Sequence, residues 1–311
     1  MEWYYIVLIF LISLLAIVLI TSYVCYRLTF YHKPKKIGPY DLEYPSDNFF
    51  EPYTQDIIDA MNEAIKMEHQ RFTIKSFDNL TLHGRYYEYE KNAPIEILFH
   101  GYKGNGLRDL SIGIKRCFKA KHSVLLVDQR AHGLSEGHVT SFGINEHKDC
   151  LEWINFTIEH FGKDVKIILS GVSLGAATVL LASSLDLPEN VIGILADCGF
   201  DSAKNIIKKC VKEMHLSPTF FYPFIKLGAK IFGKFNLDET SPIKAMEKCK
   251  IPVIFLHGDK DFFVPCDMSI NMYNKCQSTK KLVLIPNASH GIAYLVEPEL
   301  YLNEVINFFN K

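Results

Sequence analysis

The sequence predicts an α/β fold with a mostly parallel, doubly wound sheet, and three observations lead to this prediction. Short apolar runs rich in β-branched residues recur along the chain, with helical patterns between them. Each run is apolar throughout, which is typical of strands covered on both faces. Strand and helix patterns alternate from about residue 70 to the C-terminus without an internal repeat, so one domain explains the whole stretch.

The chain begins with a segment long and apolar enough to cross a bilayer. No charged residue occurs from Trp3 to Tyr26, and about 24 helical residues at ~1.5 Å each span ~36 Å. Aromatic residues lie at both ends, as in interfacial belts. A cleaved signal peptide is the competing interpretation, but the chain lacks its basic start and its small residues before a cleavage site. We therefore predict a single-pass membrane anchor over residues 3–26, within an N-terminal segment of residues 1–30.

Positive charge follows this helix and does not precede it. Arg27, Lys33, Lys35 and Lys36 all lie on its C-terminal side. Since basic residues flanking a membrane helix favour the cytoplasmic side, the domain that follows is predicted to lie in the cytoplasm.

Composition and spacing exclude several other classes of protein. The formal net charge of -1 and the lack of a basic stripe argue against a nucleic-acid binder, whose affinity depends on neutralising phosphates. The eight cysteines show no C-x-x-C or other metal-ligand spacing, so no zinc site is expected. A single apolar segment cannot enclose a transport pathway. The remaining class is a globular domain attached to a membrane.

The sequence after the anchor predicts a linker, a helix and a series of strands. A polar, proline-containing stretch predicts a linker over residues 31–50, and the domain is predicted to occupy residues 51–311. Pro52 begins a helix expected to reach Glu68. A hairpin follows, turning at Asp78-Asn79, with strands Arg71–Phe77 and Leu80–Tyr89. The strands predicted after it are Ile95–His100, Ser123–Asp128, Val165–Ser170, Val191–Asp197, Ile251–His257 and Lys281–Ile285.

One interval, about residues 201–242, departs from this alternation. It has helical patterns and no strand, and it carries a cluster of aromatic residues: Phe220, Phe221, Tyr222, Phe224, Phe232 and Phe235. We interpret it as a helical cap inserted over the sheet. An ordinary covering helix with a long loop is the alternative.

A nucleophile motif lies at the end of the third of these later strands. Gly171-Val172-Ser173-Leu174-Gly175 is a G-x-S-x-G pattern between a strand and a helix-forming run. Only small residues fit two positions either side of the serine in so tight a turn, and the turn projects the hydroxyl above the sheet. The helix that follows directs its N-terminus toward negative charge developing there.

Four further motifs occur in a characteristic order: Phe99–Tyr102, Asp128–Ser135, Leu256–Pro265 and Asn287–Gly291. With them, residues 70–311 resemble the α/β-hydrolase superfamily, in particular its branch with serine aminopeptidases and prolyl-oligopeptidase-type domains. The resemblance implies the α/β-hydrolase fold: a mostly parallel doubly wound sheet with an N-terminal antiparallel hairpin and a helical cap insertion, here preceded by one transmembrane helix.

The resemblance also implies roles for particular residues. Ser173 is the expected nucleophile, Asp261 the acid and His290 the general base. The backbone N–H groups of Tyr102 and Leu174 are expected to form the oxyanion hole. Asp259 is a rival for the acid, although it occupies the variable position of its motif, whereas His100 and His132 are expected to hold turns.

The predicted activity is cleavage of a carboxylic ester or another acyl bond through an acyl-enzyme on Ser173. Neither a metal nor an organic cofactor is expected. The aromatic cap favours a small-molecule or lipid-like acyl substrate. Since the same residues serve esters, thioesters and peptides, a serine peptidase of this fold is an alternative, and a catalytically inactive membrane-bound scaffold is another.

Overall fold

The computed structural model describes residues 2–33 and 48–309. The predicted linker over residues 31–50 therefore lies mostly outside the described residues, as do Lys35 and Lys36. The strands are β1 Gln70–Lys75, β2 Thr81–Tyr87, β3 Ile95–Phe99, β4 Ser123–Asp128, β5 Ile167–Val172, β6 Val191–Asp197, β7 Val253–Gly258 and β8 Lys280–Ile285.

These strands form one sheet in the order β1-β2-β4-β3-β5-β6-β7-β8. The pairs β1–β2 and β2–β4 are antiparallel, and every later pair is parallel. The predicted fold class, a mostly parallel sheet with an antiparallel start, is therefore confirmed. The predicted strand ends differ from the observed ones by no more than two residues.

The helices cover both faces of the sheet. They are α1 Trp3–Thr29, α2 Thr54–Lys66, α3 Gly106–Lys119, α4 Glu146–Phe161, α5 Leu174–Ala182, α6 Ala203–Glu213, α7 Pro218–Ile231, α8 Pro242–Met246, α9 Asp267–Lys275, α10 Ala293–Val296 and α11 Pro298–Phe309. Pro52 lies inside a 3-10 helix, Asn48–Tyr53, so α2 begins at Thr54 and not at Pro52.

Two apolar layers result from the alternation of side chains along the strands. On one face, Trp153 of α4 and Val179 of α5 pack with helices α8 and α9 against the sheet. On the other face, Ile114 of α3 and Val305 of α11 pack with α2 and α10. Each of these side chains is almost fully buried, a contribution of ~1.5–3 kcal/mol apiece.

The interval between β6 and β7 contains α6, α7 and α8 and no strand, as its sequence pattern predicted. Its aromatic and aliphatic side chains form a third apolar cluster with Leu174 and Val264, two residues at the carboxyl ends of β5 and β7. Helices α6 and α7 therefore lie over the edge of the sheet where the motif residues converge.

Helix α1 is longer than the predicted span of residues 3–26, and it is the only helix in the described part of the chain that is long and apolar enough to cross a membrane. Its side chains up to Ile17 are exposed, but Ser22, Cys25 and Tyr26 are buried against α7. Gly228 permits the close approach, because a Cβ there would lie 2.4 Å from the carbonyl oxygen of Ser22. Hydropathy alone cannot distinguish an apolar surface that faces lipid from one that faces protein.

Candidate active site

Ser173 occupies the sharp turn between β5 and α5, with φ 56° and ψ −112°. A Cβ on Gly171 would lie 2.2 Å from the carbonyl carbon of Gly175, and a Cβ on Gly175 would lie 1.9 Å from the carbonyl oxygen of Phe99. Both positions therefore require glycine. The Ser173 N–H donates to the carbonyl oxygen of Asp197 at 2.8 Å, which ties the strained turn to β6.

His290 lies between Ser173 and Asp261, the arrangement that the motif order predicts. Its Nε2 is 2.9 Å from the Ser173 Oγ, and its Nδ1 is 2.7 Å from the Asp261 Oδ2. All three side chains are buried at the carboxyl edge of the sheet. Residues distant in sequence thus form one continuous hydrogen-bond chain from hydroxyl to carboxylate.

The Asp261 carboxylate is fixed on both oxygens. Its Oδ1 accepts the N–H groups of Phe263 at 2.9 Å and Val264 at 2.7 Å. Burial by itself would raise the pKa of Asp261, but hydrogen bonds from His257 and His290 outweigh it and lower the pKa to about 2. The group is therefore an anion at neutral pH and can only accept hydrogen bonds.

His257 is a residue of this site for which the sequence analysis proposed no role. It is the penultimate residue of β7, and its Nε2 lies 2.8 Å from the Val264 carbonyl oxygen and 3.2 Å from the Asp261 Oδ2. Its Nδ1 lies 2.7 Å from the Ser269 Oγ. The available sequence signal for a role of His257 was its position in the Leu256–Pro265 motif, directly before Gly258.

Asp259, the rival for the acid, has a different place. Its Oδ1 accepts the N–H of Asn287 at 2.7 Å, and its side chain is exposed. It contacts the loop that precedes His290 and not the imidazole itself. Of the two aspartates, only Asp261 contacts His290.

The two amides expected to bind an oxyanion belong to Leu174, which directly follows Ser173, and to Tyr102, which follows Gly101, where a Cβ would lie 3.8 Å from the Ser173 Cβ. On the turn after β3, Gly101 donates its N–H to the Asp109 Oδ2 at 3.1 Å, and Lys103 donates its N–H to the His132 Nε2 at 3.0 Å. Between them, the Tyr102 N–H has no acceptor among the residues that the structure describes, and neither does the Leu174 N–H at the start of α5. Both donors are thus available to a ligand.

His100 and His132 hold backbone turns, as predicted. The His100 Nε2 accepts the Gln129 N–H at 3.0 Å, and the His132 Nδ1 lies 2.8 Å from the Arg130 carbonyl oxygen. Burial lowers the pKa of both imidazoles, so both are neutral. Neither contacts Ser173.

The Asp128–Ser135 loop is held by hydrogen bonds to its own Asp128 and packs closely around that side chain. The Asp128 carboxylate accepts the N–H of Gly106, at the start of α3, at 2.8 Å and the N–H of Leu134 at 3.0 Å. Gly133 has φ 54°, and a Cβ there would lie 2.3 Å from the Asp128 Cγ. The side chain of Asp128 thus fixes the loop against the start of α3.

A cavity of about 480 Å³ opens beside Ser173 and His290. Its walls come largely from α3, the carboxyl ends of β5 and β6, and the segment around α10, with apolar side chains Ile57, Leu98, Leu110, Leu195 and Leu295. The aromatic residues of α7, which suggested an apolar acyl substrate, do not line this cavity. Helix α7 packs against α1 instead, and the Phe232 ring that follows it lies 5.1 Å from the ring of Tyr23, whereas Phe220 is exposed.

Cys198, Asp261 and His290 form the candidate metal-ligand cluster in the described part of the chain, with ligand atoms within 4.8 Å of one another. Both ring nitrogens of His290 already face hydrogen-bond partners, and burial raises the pKa of the Cys198 thiol. A protonated thiol is a poor metal ligand. The donor set therefore fits proton transfer better than metal binding.

Comparisons with known proteins concern the family and the fold of the chain. Residues 97–224 match the model of a family described as the alpha/beta hydrolase fold. The uncharacterized protein YqkD of Bacillus subtilis is 24% identical over 254 residues, which is 81% of this chain and 83% of that protein. The uncharacterized membrane protein YNL320W of Saccharomyces cerevisiae is 27% identical over 174 residues, or 54% of this chain and 55% of that protein.

Among solved structures, the esterase Pf2001 of Pyrococcus furiosus is similar to this chain. It superimposes with a TM-score of 0.67 at 20% sequence identity, covering 90% of this chain and 97% of the esterase. At this level of identity the likeness establishes the shared fold.

Proposed function

Since the chain belongs to the α/β-hydrolase superfamily, we propose that this hydrolase cleaves carboxylic esters or related acyl bonds through an acyl-enzyme on Ser173. The observation that carries the proposal is the hydrogen-bond chain from Ser173 through His290 to Asp261, with distances of 2.9 and 2.7 Å. Leu174 directly follows Ser173 and Tyr102 lines the same cavity, and neither backbone N–H has an acceptor among the described residues.

The first half of the reaction follows from these contacts. Because the ionised Asp261 accepts a hydrogen bond, the proton of neutral His290 resides on Nδ1, which leaves Nε2 to take the hydroxyl proton as Ser173 attacks the carbonyl carbon. Asp261 then stabilises the imidazolium. The N–H groups of Tyr102 and Leu174 bind the oxyanion of the tetrahedral intermediate, each contributing about 3–4 kcal/mol.

The second half regenerates the enzyme. The His290 imidazolium donates its proton to the leaving alcohol or amine, and water attacks the acyl-enzyme with His290 again as base. Water supplies the oxygen of the released acid and the two protons of the net hydrolysis. No metal or organic cofactor takes part in this sequence.

The cavity favours an acyl group of small to moderate size. Its volume of about 480 Å³ lies in the range of small-molecule sites, and most of its wall is apolar. We therefore propose a small-molecule or lipid-like ester as substrate. No nucleic acid is proposed as a partner.

A fluorophosphonate probe tests the nucleophile. We expect purified protein to be labelled on Ser173, the Ser173→Ala variant to remain unlabelled, and the matched variant Ser184→Ala, at an exposed helix end, to be labelled like the wild type. Absent labelling, or labelling that survives Ser173→Ala, would reject the proposal. A series of p-nitrophenyl esters of increasing chain length then reports the depth of the cavity.

We also propose that α1 is a single-pass membrane anchor. Its side chains from Trp3 to Ile17 are exposed and apolar apart from Ser13, and the related protein from Saccharomyces cerevisiae is named as a membrane protein. Arg27 and Lys33 after the apolar stretch favour a cytoplasmic catalytic domain. A reporter fused after Lys311 tests the orientation, and a signal from the exterior would overturn it.

A further inference from the structure

The last turn of α1 touches the residue that supplies one of the two oxyanion amides. The Tyr102 hydroxyl donates to the carbonyl oxygen of Thr29 at 2.9 Å. Burial raises the pKa of Tyr102 to about 12, so the hydroxyl keeps its proton and remains a donor at neutral pH. The Tyr102 ring also lies 5.5 Å from the Phe142 ring, which in turn lies 5.8 Å from the ring of Phe30. The side chain of Tyr102 is thus held between the end of α1 and a residue packed on it.

A second set of contacts reaches the next residue of the same turn. The His32 N–H donates to the carbonyl oxygen of His138 at 2.9 Å, and the His32 ring lies 5.0 Å from the ring of His132. His132 accepts the Lys103 N–H at 3.0 Å. Lys103 has φ 56°, a conformation that a lysine adopts at a cost, so the turn depends on such contacts.

The end of α1 is itself fixed in place. Phe30 is fully buried, its ring lies 5.2 Å from that of Phe235, and its carbonyl oxygen accepts the Thr140 N–H at 2.9 Å. One turn earlier, Tyr26 packs on Gly228 of α7. The position of the Thr29 carbonyl oxygen is therefore set by packing on both sides of it.

We infer that the last turn of α1, together with residues 30–32, positions the oxyanion hole by holding the Gly101-Tyr102-Lys103 turn. The inference rests on the proposed function and adds a positioning role for the segment that follows the apolar span. Loss of one oxyanion donor lowers kcat by about 10²–10³-fold, and displacements near 1 Å are enough to weaken such contacts severely. The anchor segment then positions the oxyanion hole in addition to attaching the domain to the membrane.

Tyr102→Phe in the full-length protein removes only the hydroxyl that reaches Thr29. Tyr222→Phe is its matched control, because the Tyr222 hydroxyl donates to Asp238 at 2.8 Å in the same apolar region, away from the oxyanion turn. Both variants and the wild type are assayed in detergent micelles with a p-nitrophenyl ester and its thionoester. Active sites are counted by fluorophosphonate titration.

The pair of substrates separates positioning from stability. Sulfur is a weaker hydrogen-bond acceptor than oxygen, so a correctly placed oxyanion hole favours the ester over the thionoester. For Tyr102→Phe we expect kcat per active site on the ester to fall about 10-fold, KM to stay near that of the wild type, and the ester-to-thionoester ratio to fall with kcat. Tyr222→Phe is expected to keep the wild-type ratio.

Gly228→Ala provides a second test from a distance, since its Cβ would press on the Ser22 carbonyl oxygen and shift α1 without touching the site. We expect the same fall in the ratio. An unchanged ratio in both variants overturns the inference while leaving the hydrolase proposal intact. A wild-type protein that cleaves neither substrate rejects the proposed function, and the inference with it.

Discussion

The Asp261 carboxylate faces two histidines, and the Nε2 of His257 lies 3.2 Å from the same oxygen that contacts His290. The Val264 carbonyl oxygen, 2.8 Å from that Nε2, can only accept, so the nitrogen carries a proton. Nδ1 of His257 lies 2.7 Å from the hydroxyl of Ser269. The Nε2–H of His257 therefore holds the acid in place for His290.

Replacing His257 by phenylalanine removes this donor while keeping an aromatic ring of similar size. A buried hydrogen bond to a charged group contributes about 1.5–3 kcal/mol, so we expect kcat to fall about 10-fold and the pKa of Asp261 to rise. Steady-state kinetics measures the first effect, and the pH profile of the NMR chemical shift of the Asp261 carboxyl carbon measures the second. Ser269→Ala is the control, because it alters only the far nitrogen of His257. An unchanged profile for His257→Phe would show that His257 does not tune Asp261.

The two aspartates of the Leu256–Pro265 motif provide a matched pair of variants. Asp261→Asn leaves the shape of the site but cannot stabilise the imidazolium or fix its tautomer, so kcat should fall by about 10⁴-fold. Asp259→Asn should stay within a few-fold of wild type, because its side chain contacts only the Asn287 amide. Steady-state kinetics on one ester compares them. Comparable losses of kcat in both variants would show that Asp261 is not the acid of this site.

Much of the site could be predicted from the sequence because its parts lie at the ends of parallel strands. Ser173, Asp261 and His290 each follow an apolar run, and parallel strands bring their carboxyl ends to one edge. The same rule places Tyr102 beside Leu174. The position of each motif directly after a parallel strand therefore predicted that these residues lie close together.

The packing of α1 could not be predicted in this way. Its contacts with α7, and the hydrogen bond from Tyr102 to Thr29, join segments whose separation and composition give no pairing signal. The location of the cavity was unpredictable for a related reason. The aromatic residues of the cap suggested contact with an apolar substrate. The same apolar surface can, however, be buried against another helix of the same chain.

The turn around Ser173 predicts a large difference between two glycine substitutions. Gly175→Ala places a Cβ 1.9 Å from the Phe99 carbonyl oxygen, a backbone atom that cannot move without breaking the β3–β5 register. We expect this variant to unfold or to lose more than about 3 kcal/mol of stability. Gly162 has φ 106° and ψ 161°, a conformation that is essentially restricted to glycine, but no atom lies within 4 Å of an added Cβ, so Gly162→Ala should lose only about 1–3 kcal/mol. Thermal unfolding of the two purified variants measures the contrast, and equal losses would contradict the steric account.

Asp197 predicts a pH dependence of stability. It is buried at the end of β6, its Oδ2 accepts the Tyr301 hydroxyl at 3.0 Å, and its Oδ1 has no partner within the described residues. Burial raises the pKa of Asp197 from 3.8 to about 6, despite the hydrogen bond from Tyr301. A raised pKa means that the folded chain binds the proton more tightly than the unfolded chain does.

Stability should therefore fall as the pH rises from about 4 to 6, where the unfolded state is already ionised, and then level off, with a total loss of at most about 3 kcal/mol from this group. Asp197→Asn removes the titration but keeps a carbonyl oxygen for Tyr301. The quantity to follow is the unfolding temperature of the variant minus that of the wild type. We expect this difference to increase between pH 4 and pH 7, whether it is positive or negative at pH 4. Only the slope of this difference reports the carboxyl group, because Asn also places an amide NH2 where Oδ1 has no partner within the described residues. Parallel curves would mean that Asp197 keeps an ordinary pKa in the folded protein, and that its unpartnered oxygen is solvated after all.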